Sequence, residues 1–430
     1  MHELEGKMAK STENKKVSLL RVVQERASMK KIQEEKRKKQ EMLVPYLPKD
    51  CMTNILLRLP HDSLQRSRFV CKPWYNIINN TKFIEDHLCH SETVLIFLSS
   101  IKKESSLSSI PSNLPKKPND ISIENNLLQS KPLSLFQQPV VDPAPSFSIR
   151  FLEFKGDNSK IGEYNLQSMG NIRAACNGLI LLDNKMKKGG LIVMNPVTRK
   201  MSTLPLGTLS SPRRESYALA LSNVTGEYKI VHLFRDDLRF VSCEILNLET
   251  KLWRAIDGPS FGLFGWLGYV PVSAIGALHW IPQIDHSDYI ISMEVDKEKF
   301  HQVPLPKRCR TYDRIVEVGG CLSFITHHEE VSQIDIWILK GLYGEVWTLH
   351  HSITTGSRLD MVPLCSLRIK GDVVFKRDKN CSFYLYDFEL QEIKKVEMVK
   401  GCVPFSASYL PHINSLVSWC SRDGAQLKEY

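Results

Sequence analysis

Two hydrophobic periodicities divide this chain. Between Val44 and Leu88 apolar residues recur at helical spacing, whereas from Phe147 onward they come in short strand-length runs broken by polar turns. In the first stretch Met52, Ile55, Leu56 and Leu59 fall at i, i+3, i+4 and i+7 and share one helical face. Pro48 can open that helix, because its first position has no use for an N–H, and Pro60 stops it. Asp62 with Gln65 three residues on reads as a capping box for a second helix, whose apolar surface is Leu64 and Val70. Pro73 opens a third, with Trp74, Ile77 and Ile78 on one side, and Phe83, Ile84 and Leu88 predict a fourth turn.

A bundle of about 45 residues buries too small a share of its surface to be comfortably stable alone. This one carries more large apolar side chains than it can enclose. The surplus either packs on the rest of the chain or forms an exposed docking face for another protein.

The second pattern consists of runs such as FSIRFLEF, GLILLD, GLIVMN, YALALS, YKIVHLF, VSCEILNL, YIISMEV, DIWIL, VVFK and SFYLYDF. Helical periodicity is nearly absent there, which argues an all-β sandwich, barrel or propeller. A repeat decides among them. LIVMNPVTRKMSTLP, CEILNLETKLWRAI, ISMEVDKEKFHQVPLP, IWILKGLYGEVWTLHHSI and YLYDFELQEIKKVEM each hold a strand, a polar turn and a second strand. Their turns recur at a period of roughly 45–52 residues, that of four-stranded propeller blades. These hairpins, with one more blade closed by the two ends of the domain, predict about six blades.

The remaining segments are polar. Thr93–Leu98 is strand-like, but Ser99–Ser146 turns to Ser, Pro, Asn, Lys and Gln without periodicity and reads as a disordered insertion. Residues 1–43 are basic and partly helical, with Val17, Leu20, Val23 and Ala27 on one face. The run Lys36–Lys39 is a solvated helix surface, a nuclear-localisation patch or a nucleic-acid contact. The expected domains are therefore 1–43, 44–88, an insertion at 99–146, and a propeller over 147–430.

Charge changes this picture little. The net charge is +10, and residues 1–43 supply half of it, with 12 Lys and Arg against 7 Asp and Glu. The basicity is local, so no nucleic-acid groove is expected across the folded part. The 11 cysteines form no C-x-x-C pair, which points to a reducing compartment, without metal or cofactor, and to the nucleus or cytoplasm. The N-terminus lacks an apolar signal region, so the sequons at Asn79 and Asn223 carry no meaning for glycosylation. Ser260–Pro282 is free of charged residues and long enough to span a bilayer, yet its glycines and Pro271 fit turn-rich strands better, and no membrane association is expected.

Catalytic patterns fare poorly. Gly258-Pro259-Ser260-Phe261-Gly262 matches G-x-S-x-G, but the glycine-rich residues after it make a poor helix, which a nucleophile elbow requires. His327-His328 and His350-His351 are adjacent, so their rings should point apart, unlike the i, i+4 pair of a metal-binding helix. Trp253, Trp280, Trp337 and Trp347 recur near blade turns and read as inter-blade core rather than ligand platforms.

Leu47-Pro48, Asp50, Ile55-Leu56, Leu59-Pro60, Leu64, Arg66, Val70-Cys71-Lys72 and Trp74 resemble the F-box motif at its usual spacings. Thr53 and Pro73 depart from it without removing a large apolar contact. CNGLILL, MNPVTRK, GEYKIVHLF, LETKLWRAI, GALHWIP, SMEVDKEKF, VGGCLSFI and IDIWILK, in that order, look like the F-box-associated domain of plant F-box proteins. The expected fold class is thus multidomain, a small all-α F-box bundle followed by an all-β propeller.

The resemblance implies docking on the Skp-type adaptor of an SCF (cullin–RING) ubiquitin ligase. The contact would be made by Leu47, Pro48, Ile55, Leu56, Leu59, Pro60, Leu64, Val70, Cys71 and Trp74, while the propeller captures an unidentified target for ubiquitination. Such a chain is a non-catalytic substrate receptor. An adaptor-bound regulator without target turnover is the alternative. A propeller enzyme would need Cys, His, Tyr or carboxylate groups converging in the channel.

Overall fold

The computed structural model describes residues 26–35, 47–100 and 147–419, apart from 157, 185, 211–213, 236–239, 261–269, 283–286, 329, 344–345, 356–359, 378–381 and 398–408. It falls into two compact units, Met1–Leu59 and Pro60–Tyr430, so the division crosses the helical stretch. The basic run at 36–39 lies outside the described residues.

In the first unit residues 26–35 form an exposed helix, α1, and Lys49–Leu57 form α2. Pro48 is the cap residue of α2 rather than its first helical residue, and its carbonyl accepts the Met52 N–H at 3.1 Å. Thr53 is accommodated by donating its hydroxyl to the Lys49 carbonyl at 2.9 Å.

The second unit opens with α3 (His61–Ser67), α4 (Lys72–Ile78) and α5 (Thr81–His90). The capping box expected at Asp62 does not form. Pro60 is the cap residue of α3, no side chain caps the helix, and Gln65 is used elsewhere. Asn80 does cap α5, accepting the N–H groups of Lys82 at 3.0 Å and Phe83 at 3.4 Å.

Six four-stranded sheets follow among the described residues. Blade 1 joins β1 (Thr93–Ser100), β2 (Phe147–Lys155) and β3 (Asn158–Gln167) to the last strand, β24 (Leu410–Ile413). Blade 2 holds β4 (Ile172–Cys176), β5 (Leu179–Asp183), β6 (Leu191–Met194) and β7 (Met201–Leu204). Blade 3 holds β8 (Glu215–Leu221), β9 (Tyr228–Arg235), β10 (Val241–Asn247) and β11 (Leu252–Ile256). Blade 4 holds β12 (Val272–Ala274), β13 (Ala277–Trp280), β14 (Tyr289–Glu294) and β15 (Lys299–Pro304). Blade 5 holds β16 (Arg314–Val318), β17 (Cys321–His328), β18 (Gln333–Leu339) and β19 (Thr348–Thr354). Blade 6 holds β20 (Met361–Ser366), β21 (Val373–Arg377), β22 (Phe383–Asp387) and β23 (Glu392–Val396).

The strands β24, β4 and β8 lie against one another, as do β12, β16, β20 and β24, so the first strand of each blade faces the axis. Every sheet is antiparallel, and blades 2 to 6 are meanders. The turns between first and second and between third and fourth strands therefore share one face, and the remaining connections share the other. β1 makes the propeller begin at Thr93, ahead of residue 147, and Ser99 and Ser100 belong to that strand.

The repeated turn has a physical basis. Asn195, Asn247 and Asp387 each end a third strand and accept N–H groups two and three residues on. Four residues after these and after Glu294, the chain turns left-handed at Arg199, Lys251, Glu298 and Gln391, with φ of 54 to 59°. A type I turn closed by a left-handed residue matches the twist of a hairpin.

The core is a series of inter-blade layers. Ala218, Val231, Leu233 and Ile245 of blade 3 meet Leu278, Trp280, Ile291 and Met293 of blade 4. Similar layers join blades 4 and 5, 5 and 6, and 6 and 1. Trp253 and Trp347 donate their indole N–H to the carbonyls of Pro205 at 3.0 Å and Pro304 at 2.7 Å on the preceding blade. The apolar segment after Ser260 holds strands β12 and β13, and no helix of the described residues is long and apolar enough to cross a membrane.

Ser100 and Phe147 are cross-strand partners, so residues 101–146 leave and re-enter the sheet at one point. Replacing 101–146 by Asn-Gly, the two-residue hairpin turn, is expected to leave the melting temperature unchanged or raised. A fall of many degrees on thermal denaturation would contradict this.

Candidate functional site

The residues expected to meet the adaptor divide by burial. Leu47, Pro48, Ile55, Pro60, Val70 and Cys71 are exposed, and Leu59 and Trp74 are half-buried. Leu56 and Leu64 are fully buried and available to no partner in this conformation. Helical periodicity cannot distinguish an inward apolar residue from an outward one when a short helix is apolar on two sides. Phe69 and Tyr75 escaped the sequence reading. Phe69 is 88% exposed and Val70 is 64% exposed, and Tyr75 stands free on α4. An exposed Phe-Val pair between two helices is an apolar face left uncovered among the described residues.

The helices of the second unit are tied to the blades. Gln65 of α3 donates its side-chain amide to the Val197 carbonyl in the third turn of blade 2. The His61 ring meets Phe151 of β2 edge-on at 6.1 Å. At the end of α5, Arg368 donates to the Leu88 carbonyl at 2.9 Å. The Glu92 carboxylate receives the backbone N–H of Arg368, and that of Ile369 at 3.2 Å, in the first turn of blade 6. α3 and α5 thus sit on the face formed by first and third turns. A cleft of about 440 Å³ lies between α3 and blades 1 and 2, reaching from Phe69 to Phe151, Tyr164 and Arg199.

The opposite face carries ion pairs where first strands begin and second strands end. Arg173 stands 3.6 Å from Asp183 in blade 2 and 2.7 Å from Glu215 in blade 3. His232, fully buried, lies between Glu215 at 3.3 Å and Glu244 at 2.8 Å and stacks on Tyr217 at 4.1 Å. Burial alone would raise the Glu244 carboxyl, but hydrogen bonds from His232 and from the Thr208 N–H and hydroxyl bring it below its ordinary value. Burial raises Asp183, and Arg173 only partly opposes this. In blades 5 and 6 the pairs are Asp313–His327 at 3.0 Å and Asp360–Arg377 at 2.7 Å. Polar groups this buried persist only when partnered, and these partners join strand ends within a blade or between neighbouring blades.

The candidate catalytic patterns resolve as follows. Ser260 is exposed just after β11, and the residues that would form the helix of a nucleophile elbow lie outside the described set. His327 and His328 point apart as expected, the first to Asp313 and the Met361 carbonyl, the second to Asp335. His350 and His351 do not: their rings meet at 4.7 Å. A bulge opposite Ile336 and Trp337 shifts the register there and brings both rings together. Among the described residues no group of three or more His, Cys, Asp or Glu could hold a metal ion, and the eight described cysteines form no disulfide.

Two outcomes follow from burial at the helix–blade junction. Leu64→Ala should cost about 2–5 kcal/mol in denaturant unfolding, whereas Val70→Ala should change stability little. Among the described residues, His412 of β24 is buried without a hydrogen-bond partner at either ring nitrogen, and burial pushes its pKa down from 6.5 to about 3. Unfolding then takes up a proton between these values, so stability falls as pH drops below 6.5 toward 3, by about 1.4 kcal/mol per pH unit at most. His412→Phe should flatten the dependence of the melting temperature on pH in that window.

Comparison with known proteins agrees with this architecture. The pattern of the F-box domain matches residues 45–86, and that of the F-box associated beta propeller domain matches residues 148–410. F-box protein CPR1 of Arabidopsis thaliana is 23% identical, over 89% of this chain and 91% of that protein. F-box/kelch-repeat protein At3g23880 of the same plant is 25% identical, over 75% of this chain and 83% of that one. The matched segments are the helices and blades described above, and the chain belongs to the F-box proteins that carry an F-box associated β-propeller domain.

Proposed function

We propose that this chain is the substrate-receptor subunit of an SCF-type ubiquitin ligase. The observation that carries the proposal is the exposed Phe69–Val70 face, with Cys71 and Tyr75 beside it, on helices fixed to a propeller whose other face is turned away from them. The F-box implies a Skp-type adaptor as partner of the helices, and through it a cullin and a RING subunit. In this reading the contact is apolar and includes Leu47, Pro48, Ile55, Leu59, Pro60 and Trp74. Leu64 shapes the α3 part of it from beneath without touching the partner, and Leu56 is likewise buried within α2.

The target is held by the loops of the propeller face opposite α3 and α5. Capture is the chain's whole contribution to the reaction. A bound target's lysines are confined near the thioester carried by the ligase, and an encounter becomes effectively intramolecular. The chain's own residues bind and orient and transfer no group. The thiols of the described cysteines support work in a reducing compartment, the nucleus or cytoplasm.

Phe69→Ala with Val70→Asp in the full chain should leave the melting temperature nearly unchanged, because neither side chain is buried. Adaptor capture in a pull-down should fall by about 30-fold, the loss expected when an interface anchor worth about 2 kcal/mol is removed. In cells this variant should bind the target and lengthen its half-life. Undiminished capture would refute the docking assignment, and an unchanged target half-life with target binding intact would favour the regulator without turnover.

A further inference from the structure

We infer that the adaptor contact extends past the helices onto the propeller, through the cleft between α3 and blade 2, and that Arg66 and Arg199 receive an acidic segment of the adaptor there. The inference rests on the receptor reading above. It begins with Phe69, which is both the most exposed apolar residue of the proposed docking face and a wall of this cleft. The cleft is therefore continuous with that face. Its volume, about 440 Å³, suits a few side chains of a partner.

Charge identifies the occupant. Two carboxylates and two guanidiniums line the cleft. Of the carboxylates, Glu163 is engaged by Arg150 at 3.1 Å, while Asp62 is 80% exposed and, among the described residues, meets only the His61 ring at 3.2 Å, whose pKa burial lowers. Arg66 and Arg199 are both exposed, and neither guanidinium makes a hydrogen bond or ion pair among the described residues. On balance the unspent charge is positive, two guanidiniums against the Asp62 carboxylate, and it lies against apolar walls from Phe151 and Val197, so the complementary ligand is an acidic segment with apolar side chains. A partner seated on Phe69 and Val70 already lies at the mouth of the cleft. Gln65, bonded to Val197, holds the two walls together, so the arginine from the helix and the arginine from the blade are presented jointly.

The test is adaptor affinity of the full chain with Arg199→Glu. Glu298 occupies the matching left-handed turn position in blade 4, so a glutamate is compatible with the backbone at 199. Binding is expected to weaken about tenfold at low salt, with the difference shrinking as salt rises. Arg199→Lys should retain most of the affinity. Arg66→Glu, on the opposite wall, should repeat the loss. If Arg199→Glu and Arg66→Glu both bind like the wild type while Val70→Asp does not, the inference is wrong and the receptor reading stands. The same result is expected if the cleft instead serves a small anion or another protein. If the wild-type chain itself fails to bind the adaptor, both fall.

Discussion

The pairing of β24 with β1 is the constraint on which the propeller depends. Thr93 to Ile96 bond to Ile413 to Leu410, so the last strand of the chain supplies the axial strand of the first blade. Each blade otherwise contacts only its neighbours, and an array of that kind opens wherever one contact is missing. The segment after β24 extends the closure to the next blade. Asn195 donates to the carbonyls of Ser415 at 3.0 Å and Val417 at 2.9 Å, and the Ser415 hydroxyl donates to the Asn177 carbonyl at 2.7 Å. One polar turn residue of blade 2 thereby shapes its own hairpin and fastens the ring.

Closure also fixes the helices of the second unit. β1 follows α5 directly, and Glu92 between them caps the first turn of blade 6. Gln65 reaches the third turn of blade 2 on the other side of blade 1. The proposed docking face on α3 and α4 is therefore held by blades 6, 1 and 2 together. A partner on that face and a ligand on the opposite one would be kept in a set geometry, which proximity requires if it is to favour some lysines over others.

Much of this was legible in the sequence because turn chemistry repeats. Asn195, Asn247 and Asp387 mark three of the five strand–turn–strand repeats whose common period separated a propeller from a sandwich. Third strands were legible as apolar runs because neighbouring blades cover both their faces. First strands such as Val272–Ala274 are too short to show a period, and fourth strands such as Leu252–Ile256 lie at the exposed rim with mixed composition. The docking face was only half legible. Leu64 and Val70 look equivalent in sequence, yet one is core and the other is surface, a distinction that helical periodicity does not carry. Gln65 fitted a local capping rule and serves a long-range contact instead. Phe69, outside any helical period, gave no signal.

The placement of β24 has a consequence for how the protein is made. A ribosome delivers α2 to α5 and β1 well before β24, with Ser100 and Leu410 separated by five intervening blades. At about 5–20 residues per second, β1 waits roughly 15–60 s for the strand that covers its axial edge. During that interval a nascent apolar strand, Thr93–Ser100, has an open edge of the kind that invites pairing with other chains. Chaperone attendance would matter most then, and a premature stop before Leu410 would release a polypeptide with every helix in place and no way to close its ring.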